Sequence, residues 1–173
     1  SRILQDMHDG VGAHLSTAIR QVEAGQPARE ELLATLRDSL DQLKLTIDAM
    51  NLPSGDVNGL LANLRYRLGP RLATAGLEMR WEVELLPLVD RLDAAAMRQL
   101  QFILFEAFSN VLQHSGARCL VVHAEADDAG VRLRIEDDGR GFDATEAPRN
   151  GLLQMAKRAR AIGARLDLRS QAG

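Results

Sequence analysis

Aromatic residues are scarce in this chain of 173 residues: they make up 3% of it, as four Phe, one Tyr and one Trp. A surface that stacks nucleic-acid bases needs exposed aromatic rings, and the formal charge of −3 offers no attraction to phosphate backbones. Nucleic acid is therefore not an expected partner. Any hydrophobic core must be built from Leu, Ala, Val, Ile and Met, which is typical of packed helices and small sheets.

Cysteines and long apolar runs are also scarce. The single Cys119 cannot form an internal disulfide, which fits a reducing compartment. No apolar run approaches the ~18 to 20 residues that a membrane span requires, and the first residues lack a signal-peptide pattern. We expect a cytoplasmic location. Because the sequence begins inside a helical pattern, we also expect it to be a piece of a longer protein.

The first part of the chain has the pattern of two helices. Apolar residues recur at helical spacing through residues 4–22, with His8 at the edge of this stripe, and Gly25 and Pro27 then interrupt the pattern. A second helix follows with a heptad seam: Leu33, Leu36, Leu40, Leu43, Ile47 and Met50. Two such helices cannot enclose a core alone, so we expect the hairpin to bury its seam against a second copy in a four-helix dimer.

The heptad pattern ends at NLPSGDVNG, residues 51–59, which is the expected domain boundary. Helices grouped with a short, mostly antiparallel sheet predict an α+β second part. The predicted elements are a helix (60–75), a strand (77–84), a helix (93–114), two strands (119–126 and 131–138), a Gly-rich loop, a helix (151–162) and a strand (165–170).

Glu106, Asn110 and His114 are spaced by four residues along the long helix and share one of its faces. This face could simply be the solvent side of a core helix, and the spacing alone favours that interpretation. It could also be a Mg²⁺-nucleotide site. An amide oxygen is a suitable hard ligand, and Mg²⁺ takes only one or two protein ligands beside water and phosphate.

The stretch IEDDGRGFD, residues 135–143, runs from a strand into a loop with two glycines. Asp-Gly pairs are common turn formers and need no ligand. Asp137, held at a strand end, could also accept a hydrogen bond from an exocyclic amine, while Gly139 and Gly141 would allow the backbone to approach a ligand.

The first helix carries DMHDGVGAHL, residues 6–15, in which a His-Asp pair precedes two glycines. A neutral imidazole is a competent nucleophile near neutral pH, and a carboxylate on one ring nitrogen leaves the other free to attack. The alternative for His8 is a polar residue that sets register at a bundle seam. Gly10 and Gly12 each weaken a helix by ~1 kcal/mol relative to Ala, so we expect a bare surface there for a bulky partner.

Taken in order, these motifs resemble the sensor histidine kinases of two-component systems over nearly the whole chain. HDGVG resembles the phosphoacceptor box of their nitrate-sensor-like subfamily, EAFSNVLQHSGA the N box, DDGRGFD the first glycine box and GLLQMAKRARAIGA the second. The resemblance implies that residues 1–52 are a dimerisation and phosphotransfer hairpin. It implies that residues 53–173 are a catalytic ATP-binding domain, an α/β sandwich of the gyrase/Hsp90/histidine-kinase type.

The resemblance also implies a role for each motif residue. His8 would be the phosphoacceptor, Asp9 its neighbouring base, Asn110 the Mg²⁺ ligand and Asp137 the carboxylate that reads adenine. His8 would take a phosphoryl group from Mg-ATP and pass it to an aspartate of a response-regulator receiver domain. Any membrane attachment would come through a sensor region preceding this sequence. The other positions implied in nucleotide binding are Glu106, His114, Gly139, Gly141 and Gly151.

Some features depart from the family pattern. Ala13, with His14 beside it, stands where many members of the subfamily have a Gln that helps to dephosphorylate the regulator. Arg149 stands where a further glycine is common, and we expect the C-terminal strand to be truncated. Two other functions stay open: an ATPase of the same fold, in which Glu106 activates water, and a catalytically weak nucleotide-binding dimerisation module.

Overall fold

The computed structural model describes residues 2–25, 28–114, 116–139 and 159. The chain divides into two compact units, Ser1–Asn51 and Leu52–Gly173. The helix and strand predicted after the glycine-rich loop lie outside the described residues, except for Ala159, which is helical and buried. Within the described part of the chain, none of the helices is long and apolar enough to cross a membrane.

The first unit is a hairpin of helices α1 (Arg2–Glu23) and α2 (Arg29–Ala49), which pack against each other. Gly25, in the turn between them, has φ +91°, a conformation that glycine adopts without strain. Thr35 Oγ1 donates a hydrogen bond of 3.4 Å to Gln21 Oε1 across the two helices. The predicted helical hairpin is therefore present.

Helix α2 has two contrasting faces. The predicted heptad seam points outward in the single chain, because five of its residues, Leu33, Leu36, Leu40, Ile47 and Met50, are 38% to 56% exposed. The opposite face is buried and mostly polar: Asp38, Ser39, Gln42, Leu45 and Thr46. On α1, Leu4, Leu15, Ile19 and Val22 are exposed as well. A single hairpin thus leaves most of its large apolar side chains in water.

The second unit contains α3 (Val57–Thr74), β1 (Glu78–Val83), α4 (Ala94–His114), β2 (Cys119–Asp127) and β3 (Gly130–Asp137). Both helices begin at an Asp whose side chain binds a backbone N–H that the helix itself leaves unpaired. Asp56 Oδ1 accepts from Gly59 N at 2.9 Å, and Asp93 Oδ1 accepts from Ala96 N at 2.8 Å. These caps explain where the two helices start.

The three described strands form one sheet in the order β1-β2-β3. β2 and β3 are antiparallel neighbours, whereas β1 and β2 are parallel. The α+β class is confirmed, but the sheet is mixed rather than mostly antiparallel in this part. The reason is that α4 lies between β1 and β2 in sequence, and a helical crossover returns the chain to run in the same direction.

One face of this sheet belongs to the core. Leu120, Val122 and Ala124 of β2 are at most 1% exposed, as are Phe105 and Phe108 of α4. The alternate positions of β1 and β3 carry charged residues, so the opposite face of the sheet is polar along these two strands. Five leucines of α3 complete the core: Leu60, Leu61, Leu64, Leu68 and Leu72.

The strand register fixes the position of Asp137. Asp137 pairs with Leu120 across β2 and β3, and residues directly opposite in an antiparallel pair point to the same face. Leu120 is fully buried. Asp137 therefore lies at one end of the sheet, on the side where the core is.

Candidate functional site

The His-Asp pair lies on α1 and is open to solvent. The side chain of His8 is 83% exposed and that of Asp9 is 53% exposed, with 3.6 Å between His8 Nδ1 and Asp9 Oδ1. Gln5 Nε2 donates a hydrogen bond of 3.3 Å to the same Asp9 oxygen. The carboxylate thus lies beside Nδ1 of the ring, and no described residue is hydrogen-bonded to Nε2.

The ring of His8 is open in the single chain, and a seam position would require a second copy to pack it, as for the exposed heptad residues of α2. The two glycines behave differently from each other. Gly10 is buried, whereas Gly12 is half-buried, and a Cβ added to Gly12 would lie 4.0 Å from His8 Nδ1. The expectation of a bare docking surface therefore fails for Gly10 and applies only to Gly12.

Helix α4 carries the second predicted group. Glu106 and Asn110 are one turn apart on the same face, and both are half-buried. The Asn110 amide has no hydrogen-bond partner within the described ranges, so its oxygen is available to a ligand. His114 is the last residue of α4, and its side chain lies outside the described part of the structure.

Asp137, the last residue of β3, carries the third predicted group. Its Oδ1 accepts a hydrogen bond of 2.8 Å from the backbone N–H of Gly139, which is buried. The other carboxylate oxygen has no partner among the described residues, so it can accept a hydrogen bond from an exocyclic amine. Gly141 and Gly151 lie outside the described residues.

The Asn110 amide oxygen is a donor of the kind that Mg²⁺ binds beside water and phosphate. Among the residues described, no group of three or more His, Cys, Asp or Glu side chains could hold a metal ion. Mg²⁺ that arrives with a nucleotide needs no such group, so the Asn110 amide oxygen would suit it.

The sequence analysis missed Asp138. Its Oδ1 accepts hydrogen bonds from the backbone N–H groups of Arg118, at 2.8 Å, and Cys119, at 2.9 Å. These bonds favour the ionised carboxylate and hold the pKa of Asp138 below its ordinary value. The available signal was a second Asp directly after a strand, but its partners come from a segment about 20 residues earlier, which no local motif reveals.

Comparisons with known proteins show what this chain is similar to. Residues 96–172 match the family described as histidine kinase-, DNA gyrase B-, and HSP90-like ATPase. The sensor histidine kinase MctS of Rhizobium johnstonii is 29% identical over 159 residues. The chain is similar in sequence to sensor histidine kinases. The nitrate/nitrite sensor protein NarX of Escherichia coli is 28% identical over 176 residues, and the sensor protein VraS of Staphylococcus haemolyticus is 27% identical over 175.

These matches cover most of this chain and a smaller part of each relative. They span 83% of the chain for MctS, 92% for NarX and 94% for VraS, but 33%, 28% and 49% of those proteins. The histidine kinase domain of a blue-light activated kinase from Erythrobacter litoralis superposes with a TM-score of 0.61 at 16% identity, covering 98% of this chain and 87% of that chain. This likeness confirms the fold, and the relatives confirm the resemblance to sensor histidine kinases.

Proposed function

We propose that the chain is the core of a histidine protein kinase that transfers the γ-phosphoryl group of Mg-ATP to His8. From His8 the group passes to an aspartate of a response-regulator receiver domain. The single observation that carries the proposal is the open His8-Asp9 pair, with its 3.6 Å contact, in a chain whose residues 96–172 match a family of ATPases. A general ATPase has no use for an exposed imidazole beside a carboxylate.

The geometry of the pair supports attack by Nε2. Asp9 lies beside Nδ1, so it favours the tautomer that carries a proton there and leaves a lone pair on Nε2. In the proposed step a bond forms between Nε2 and the γ-phosphorus, the bond from that phosphorus to the bridging oxygen breaks, and ADP leaves with the electron pair. Asp9 stabilises, and can accept, the Nδ1 proton as positive charge develops on the ring.

The second unit would hold and align the nucleotide. Asp137 would accept a hydrogen bond from the exocyclic amine of adenine through its second carboxylate oxygen, and Asn110 would provide an amide oxygen to Mg²⁺. When bound, Mg²⁺ supplies charge neutralisation at the phosphates. Glu106 and His114, together with Gly139, Gly141 and Gly151, are the further positions proposed to line the nucleotide.

The outward face of α2 supports a homodimer through the first unit. Leu36 and Leu40 are 42% and 50% exposed in the single chain, in a stripe with heptad spacing. A second copy presents the same stripe and can cover it in a twofold arrangement, which gives a bundle of four helices. We therefore propose residues 1–52 as the dimerisation and phosphotransfer domain and residues 53–173 as the ATP-binding domain.

Incubation of the chain with γ-labelled Mg-ATP tests the proposal. We expect acid-labile label on the protein that is absent in His8→Gln and retained in His14→Gln, the matched control on the same helix. Label that persists in His8→Gln would contradict the proposal. Free labelled phosphate without labelled protein would instead support the water-activating ATPase, and neither product would support a nucleotide-binding dimerisation module.

A further inference from the structure

Asp138 connects two segments that the proposed nucleotide site needs together. Its carboxylate oxygen Oδ1 accepts from the N–H groups of Cys119, the first residue of β2, and of Arg118, which precedes it in the segment that follows α4. Its own N–H donates a longer bond of 3.3 Å to Cys119 O. Three hydrogen bonds therefore join the end of β3 to the start of β2, and we call this set of bonds the Asp138 clamp.

The neighbours of Asp138 are the residues that would face a nucleotide. Asp137 precedes it, and Gly139, bound to Asp137 Oδ1, follows it. On the other side of the clamp, α4 carries Asn110 and ends at His114. Successive residues of a strand point to opposite faces, and Oδ1 of Asp138 is already occupied by backbone donors. Asp138 is thus placed to act on a ligand through its neighbours and not by contact.

We propose that Asp138 is a positioning residue, which holds Asp137 and Gly139 in place relative to the segment that follows α4. The inference rests on the proposed function, because it assigns Asp137 to adenine. Without the clamp, the last pair of the β2–β3 ladder would fray, since nothing described beyond Gly139 pairs with β2. Asp137 would then sample several positions, and the site would lose its discrimination for the amine of adenine.

The electrostatics of Asp138 agree with this role. Hydrogen bonds from two backbone N–H groups hold its pKa below the ordinary value of 3.8, so the side chain stays ionised at neutral pH. Bonds to an ionised acceptor are stronger than neutral ones. Neither bond requires the charge itself, however, because the Oδ1 atom of an asparagine at this position can accept both.

The chain offers a matched control at the other end of the same strands. Asp127 Oδ1 also accepts two backbone N–H bonds, from Ala129 at 2.8 Å and Gly130 at 3.1 Å, in the turn between β2 and β3. It lies seven residues along β2 from Leu120, the partner of Asp137, or about 23 Å at ~3.3 Å per residue. Asp127→Ala removes the same kind of interaction far from the site.

The experiment compares binding of ATP and inosine triphosphate to the full chain by calorimetry. Inosine has a carbonyl where adenine has its amine. We expect wild type to prefer ATP and Asp137→Ala to lose the preference. We expect Asp138→Ala to bind ATP about tenfold more weakly, with little change for inosine triphosphate. Asp138→Asn should stay within about threefold of wild type, and Asp127→Ala within about twofold.

Thermal unfolding of each variant distinguishes a folded protein with a misplaced Asp137 from a protein that has lost its fold. If Asp138→Ala does not fold, Asp138→Ser takes its place. The Ser side chain is shorter and has a single acceptor oxygen, so this variant should still lose the preference for ATP. Unchanged preference in the folded variant, or an equal loss in Asp127→Ala, would overturn the inference and leave the proposed function intact. Failure of wild type to bind ATP would overturn the proposed function, and the inference with it.

Discussion

The two units of this chain handle their apolar residues in opposite ways. In the second unit the leucines of α3 are buried, and Phe105 of α4 is fully enclosed. In the first unit α2 buries polar residues such as Gln42 and leaves Leu40 half exposed. The second unit therefore has a core of its own, whereas the hairpin has an apolar surface that is exposed in the single chain.

This difference agrees with the two jobs that we propose. A nucleotide site needs a rigid core that fixes each polar group, and Asp137 is held by the register of its strand. A phosphoacceptor has to meet large partners, and the side chain of His8 is 83% exposed. A substitution in one unit should therefore leave the stability and assembly of the other unit unchanged.

The largest expected effect is on assembly, in Leu40→Glu. The substitution removes an apolar contact and introduces a charge twice in a twofold dimer, which should cost on the order of 4 kcal/mol, or about a thousandfold in the dissociation constant. Sedimentation equilibrium should show monomers. Leu85→Glu is the matched control, because Leu85 is 94% exposed in the second unit and should leave the dimer unchanged. An intact dimer in Leu40→Glu would contradict the proposed seam.

The next effect is on the second unit alone, in Asn58→Ala. Asn58 Nδ2 donates to Glu84 O at 2.9 Å, and its Oδ1 accepts from Leu86 N at 2.6 Å. Loss of both bonds should reduce the free energy of unfolding of this unit by about 2 kcal/mol, measured by urea denaturation. Asn58→Asp keeps the acceptor for Leu86 N but sets a carboxylate oxygen against Glu84 O, so it should not recover the lost stability. Dissociation of the dimer in Asn58→Ala would show that the units are not independent.

A smaller effect of opposite sign is expected in Gly12→Ala. Ala should stabilise α1 by about 1 kcal/mol, and its Cβ finds open space except for His8 Nδ1 at 4.0 Å. The thermal midpoint of the hairpin should rise, while labelling of His8 by ATP should slow because the added methyl group would crowd the surface on which a bulky partner is expected to dock. Labelling at the wild-type rate would remove the explanation of Gly12 as a bare surface.

The smallest expected effect is the pH dependence that Asp138 gives to the free energy of unfolding. Its pKa is lowered in the folded state, so its stabilisation is present above the unfolded value of 3.8 and is lost as the pH falls through the lower folded value. Between about pH 5 and about pH 2, wild type should lose more stability than Asp138→Asn, which cannot titrate there. Parallel curves from denaturation at each pH would contradict the assignment.

Sequence patterns predicted the positions of the helices and strands better than the way in which these elements pair and contact one another. Periodicity located the described helices and strands to within a few residues, and the heptad seam identified the face of α2 that the structure exposes. The parallel pairing of β1 and β2 was missed, because a strand pattern carries no direction. Gly55, with φ +81°, was assigned only to the expected domain boundary, although its carbonyl oxygen accepts from Val89 N.

The candidate site shows the same difference between local motifs and contacts that are distant in sequence. His8, Asp9, Asn110 and Asp137 could be named because each stands in a local motif. Asp138 could not be assigned, because its role depends on Arg118 and Cys119, which only the register brings to it. Short motifs identify residue types that suit a reaction, whereas the residues that hold them depend on contacts distant in sequence.

The central claim is tested most directly by locating the phosphoryl group on the protein. After reaction with Mg-ATP, phosphorus and nitrogen NMR of the denatured chain shows which histidine is modified and on which ring nitrogen. We predict phosphate on Nε2 of His8, because Asp9 occupies the side of Nδ1. Phosphate on Nδ1 of His8, on His14 or on His123 would contradict the account.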